Sequence, residues 1–128
     1  RKILMHSRNL CRPLPERQAL ESFETILHSP AVRIERIVSH GHASPADFWY
    51  DQEEAEWVLL VQGSALLAFA DGRETALEAG DYVHIPAHCR HRVVQTDPNM
   101  PTVWLAVFYL EHAQDNASEK GVSACTGR

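Results

Sequence analysis

The chain has 128 residues, 45% hydrophobic and 23% charged, the balance of one globular domain with its own core and not of a disordered or fibrous chain. Twelve basic residues against seventeen acidic leave a net charge of −5 with histidine neutral, and no Lys/Arg cluster offsets it, which argues against nucleic-acid binding through phosphate contacts. No apolar run of about 18 residues could span a membrane, and residues 1–8 lack the apolar stretch of a secretory signal. Cys11, Cys89 and Cys125 are an odd, widely spaced set, expected to be reduced thiols of a cytoplasmic protein.

Residues 1–31 read as an N-terminal segment packing on the domain that follows. Pro13 and Pro15 break any early helix, and the spacing of Leu20, Phe23 and Leu27 predicts one short helix over Arg17 to Leu27. From Val32 the pattern changes to short strands. Val32–Val38 is the first, followed by a Gly/Ser/Pro stretch over 40–45, and Phe48–Tyr50 is a short aromatic strand. Glu56–Gln62 and Ser64–Ala70 are strands divided by Gly63. Asp71-Gly72 predicts a tight hairpin into Arg73–Leu77, with positive φ at both turn residues. A turn over Glu78–Asp81 leads to a strand at Tyr82–Ile85, which Pro86 ends. Arg90–Thr96 and Thr102–Tyr109 are the last strands, and residues 111–128 are polar and small, a flexible tail.

Short strands joined by tight turns over residues 32–110 mean an all-β sandwich, barrel or jelly roll. Two strands are apolar on both faces: Val58 and Leu60 alternate with Trp57 and Leu59, and Leu105 and Val107 with Trp104 and Phe108. A sheet with one wet face would not be patterned so. One face lines the interior; the other is covered by a second sheet, the N-terminal segment or a second copy, hence the expectation of a homodimer.

Two stretches carry a resemblance. In Glu56-Trp57-Val58-Leu59-Leu60-Val61-Gln62-Gly63 a glutamate precedes a glycine. In Gly80-Asp81-Tyr82-Val83-His84-Ile85-Pro86-Ala87-His88-Cys89-Arg90-His91 a glycine, a proline and a histidine follow at fixed intervals. They resemble the first and second motifs of the cupins, and order and spacing are similar to a small single-domain cupin from about Val32 to Tyr109. The resemblance implies a double-stranded β-helix (jelly-roll) barrel preceded by a short helical or extended segment. It also implies a pocket ligating a divalent ion through Glu56 and His91.

The His-x-His pair that metal-binding cupins place ahead of the glutamate has no histidines here. Its positions fall on Tyr50 and Gln52, or on Trp49 and Asp51 if a loop differs by one residue. The implied donors are therefore Glu56, His91 and either Gln52 or Asp51, a harder set than imidazoles, suited to manganese or iron(II) more than to zinc. No organic cofactor is indicated. His40-Gly41-His42 lies too far ahead of Glu56 for the motif and in a turn.

Tyr50, Trp49, Trp104 and His84 are the candidate pocket walls. His84 would enter only if the face opposite Val83 and Ile85 turns inward. The sequence around Cys89 shows neither a third orienting group nor a helix N-terminus to support a nucleophile, and Arg90 and Arg92 face away from His91 on an alternating strand. The implied function is a small-molecule-binding cupin whose pocket is assisted by a divalent metal (Mn, Fe or Zn). The alternative is a non-catalytic ligand-binding or sensor module that has lost its metal site.

Overall fold

From residue 22 onward β-branched and aromatic residues alternate with polar ones, broken by glycine-containing turns. The computed structural model, which describes residues 5–111, folds this pattern into eight strands. They are β1 (Ser22–His28), β2 (Val32–Ser39), β3 (Ala55–Gln62), β4 (Ser64–Phe69), β5 (Glu74–Glu78), β6 (Tyr82–Ile85), β7 (His91–Thr96) and β8 (Thr102–Tyr109). All pairings are antiparallel. One sheet runs β1-β2-β8-β3-β6 and the other β5-β4-β7. The inner residues of the two sheets, among them Val58, Leu60, Leu67, Phe69 and Phe108, form the core.

β3 enters β4 through Gly63, whose φ is +94°. A side chain there would meet Thr102 at the start of β8, so the glycine both reverses the chain and lets another backbone come close.

Three expectations are corrected. No helix occurs among the described residues. Residues 22–27 of the expected helix lie in β1 instead, because pairing with β2 (Phe23 opposite Ile37, Glu24 opposite Arg36) satisfies backbone groups that a short isolated helix leaves open. Phe48–Tyr50 is a loop joined to the sheet by a bridge between Tyr50 and His91. The Asp71-Gly72 hairpin has positive φ only at Gly72. Gly72 N–H donates to Phe69 O and Phe69 N–H to Arg73 O, a three-residue loop. Asp71 serves it by its side chain: the Arg73 backbone N–H and guanidinium bind its carboxylate and hold it below its ordinary pKa.

The N-terminal segment lies against one end of the larger sheet. Arg36 donates to the carbonyls of Leu10 and Pro13, and His40 and His42 reach those of Pro15 and Gln18. Elsewhere the outer face keeps half-buried Ile34, Trp57, Leu105 and Val107. The expected tail falls almost wholly outside the described residues.

Candidate functional site

Strand periodicity aims one side chain in two at the space between the sheets. From β2 these are Arg33, Glu35 and Ile37; from β3, Glu56 and Val58; from β8, Trp104 and Phe108. Register brings them together, with Glu56 opposite both Ile85 and Phe108, and Ile37 opposite both Phe23 and Trp104. They enclose a cavity of about 310 Å³, mostly apolar, completed by His91 at the start of β7 and by Tyr50 and Gln52 from the loop before β3.

Glu56 and His91 are its buried polar pair, 8% and 5% exposed. His91 Nε2 stands 3.6 Å from Glu56 Oε1. His91 Nδ1 bonds the Cys89 carbonyl at 2.8 Å, and since a carbonyl only accepts, the proton of a neutral imidazole sits on Nδ1. Nε2 therefore presents a lone pair toward the carboxylate and the cavity. The Tyr50 ring stacks on the imidazole at 5.4 Å, and its backbone exchanges hydrogen bonds with that of His91, fixing the orientation.

Burial, helped by the Glu21 and Glu56 carboxylates, pushes the Tyr50 hydroxyl from 10.0 up to about 12. It is a neutral hydroxyl at physiological pH. The unfolded chain ionises near 10 while the folded protein resists until about 12, so this contribution to stability is complete below pH 10 and lost as pH rises to 12. Melting temperature should fall across that window, and fall less in Tyr50→Phe. Equal slopes in the two proteins would remove Tyr50 as the cause.

Around the pair sits further charge. Arg33 bonds Glu35 and, at 2.5 Å, Glu54, with its guanidinium carbon 4.2 Å from the Phe108 ring centroid. Trp104 Nε1–H donates to Ser39 Oγ, whose hydroxyl in turn donates to Glu21 Oε2 at 2.9 Å.

Of the residues named from sequence, Glu56, His91, Gln52, Tyr50 and Trp104 converge on the cavity. The others do not. Asp51 is exposed and bonds His88 Nδ1 at 2.8 Å. Trp49 lies outside the cavity near Arg90 and Arg92. His84 is on the outer face, its Nε2 2.6 Å from Tyr109 Oη, because Val83 and Ile85 take the inward positions of β6. Of the described cysteines Cys11 is free, but Cys89 is disulfide-bonded, a correction to the expectation of reduced thiols.

Arg33, Glu35, Glu21 and Phe23 were missed. For the first two the signal was present, two charged residues at alternate positions of a strand and in phase with Ile37. Glu21 and Phe23 were hidden by the helix assigned to their segment.

As a metal site the donor set falls short. No three His, Cys, Asp or Glu side chains are grouped to hold an ion among the described residues. Glu56 and His91 are two donors, Asp51 is committed elsewhere, and Gln52 adds only a neutral amide.

Comparison with known proteins places this geometry. Residues 33–108 match the Cupin domain family. A protein from Ralstonia eutropha JMP134 described as a candidate mannose-6-phosphate isomerase is 44% identical, with a TM-score of 0.79, covering 83% of this chain and 99% of that one. A protein from Thermus thermophilus (17% identity, TM-score 0.69, 83% and 98% covered) shares the fold. So does a cupin superfamily protein from Desulfitobacterium hafniense (18%, 0.64, 77% and 84%). No curated protein matches. No helix among the described residues is long and apolar enough to cross a membrane.

Proposed function

The chain belongs to the cupin family, and from that premise we propose that it binds a small organic molecule between its sheets, using Glu56, His91 and Tyr50 and no ion held by three protein ligands. One observation carries the reading: a carboxylate and an imidazole meet 3.6 Å apart in a cavity whose surface is mostly apolar. Apolar walls supply affinity, and a few convergent polar groups fix orientation. His91 Nε2 accepts a hydrogen bond from the ligand, Tyr50 offers a neutral hydroxyl, and Gln52 an amide. If the bound molecule carries an acidic proton, Nε2 is placed to take it, and the Glu56 carboxylate offsets the imidazolium charge that forms.

The metal-assisted reading uses the same two residues and needs a third strong donor, which the described side chains do not supply. The test is made on untagged protein equilibrated with Mn²⁺, Fe²⁺ or Zn²⁺ and then desalted. We expect no stoichiometric metal and a melting temperature insensitive to each ion. One equivalent retained by the wild type and lost in His91→Ala would overturn the reading.

A further inference from the structure

We propose that the cavity selects an organic cation, an ammonium carried on an apolar or aromatic body, and rejects anionic molecules such as sugar phosphates. The inference deepens the binding function above and rests on it.

The charges decide the sign. Three carboxylates line the cavity, Glu21, Glu35 and Glu56, against one guanidinium, Arg33. That guanidinium is engaged twice, by Glu35 and by Glu54, so it has no charge left to offer a phosphate or carboxylate. Arg90 and Arg92 lie by Trp49, outside the cavity, and Arg36 is held by Glu24 and the N-terminal segment. Glu21 is met by a neutral hydroxyl, which orients it without neutralising it. Glu56 is the sharpest case. Its side chain is 11% exposed and opens on the cavity, and the imidazole stands 3.6 Å away. A largely buried carboxylate that opens on the cavity favours a positively charged partner there.

The walls agree with the charges. Phe23, Tyr50, Trp104 and Phe108 line the same space, and aromatic faces attract cations. The structure already shows this chemistry in Arg33, a cation seated over Phe108 and clasped by carboxylates. An incoming ammonium would find the same two elements deeper in, at Glu56 and the neighbouring rings. At about 310 Å³ the space takes a small molecule only.

The experiment compares three probes of one shape by titration calorimetry: 2-phenylethylammonium, 2-phenylethanol and phenylacetate, with mannose 6-phosphate as a fourth. The ammonium is expected to bind at least about tenfold more tightly than phenylacetate, a difference of about 1.4 kcal/mol. Raising salt should narrow the gap, and mannose 6-phosphate should not bind. Glu56→Gln should remove most of the preference, bringing the ratio of ammonium to phenylacetate affinity toward one. Should that variant misfold, Glu21→Gln, at a half-buried position, is expected to reduce the preference severalfold. Equal binding of all three shape-matched probes would overturn the charge selection and leave the binding pocket standing. Tighter binding of phenylacetate or mannose 6-phosphate would overturn it too. Binding of none would overturn both.

Discussion

Trp104→Ala is expected to destabilise the protein by about 4 kcal/mol, lowering the melting temperature by roughly 15 °C for a domain of this size. Trp104 is 4% exposed, forms a cavity wall, and joins Glu21 to the sheet through Ser39. Two effects are lost together, packing and a hydrogen bond, and their sizes differ. The bond to Ser39 is worth about 1 kcal/mol, whereas the emptied volume carries the remainder. Trp104→Phe should therefore recover most of the stability, since it refills much of the space without the indole N–H. Thermal or urea unfolding of the two variants measures the split. If the phenylalanine variant were as unstable as the alanine one, the hydrogen-bonded chain to Glu21 would outweigh packing.

The second large effect belongs to Gly63→Ala, expected to cost about 3 kcal/mol in all. Part is conformational, about 1–2 kcal/mol for a side chain at φ +94°. The rest is steric: the added carbon would stand 2.8 Å from Thr102 Cα, a backbone atom at the buried start of β8 that no rotamer change moves. Gly72 and Gly80 are internal controls. Both have φ +98°, and neither has an atom near the would-be side chain, so alanine there should cost the conformational part alone. Unfolding free energies for the three alanine variants separate the terms. Gly63→Ala no worse than Gly72→Ala would contradict the close approach of β3–β4 to β8.

Much of this architecture was legible in the residues. Alternation marked β3 and β8 as apolar on both faces without saying which turns inward; the cupin resemblance implied Glu56, and Trp104 was a candidate wall. Asp71, Gly72 and Gly80 marked turns where turns occur. What local pattern could not show was pairing. Residues 20–27 resemble a helix by the spacing of Leu20, Phe23 and Leu27, and only register with β2 makes residues 22–28 a strand and sets Phe23, 56% exposed, at the edge of the cavity. The loop of residues 40–54 is similar. Whether Tyr50 and Gln52 or Trp49 and Asp51 enter the cavity depends on where that loop meets β7, and the Tyr50–His91 bridge settles it. The bond of Arg33 to Glu54 joins β2 to the loop before β3, beyond any single-strand pattern.

The central claim is that His91 and Trp104 share one ligand-accessible interior while Trp57 and His84 lie on the far side of the same sheet system. It is tested most directly by adding neutral 2-phenylethanol to isotopically labelled protein and following the side-chain resonances of these four residues by NMR. The His91 ring and the Trp104 indole N–H are expected to shift together and saturate with one dissociation constant, with Trp57 and His84 unmoved. Shifts confined to Trp57 and His84, with His91 and Trp104 silent, would contradict it.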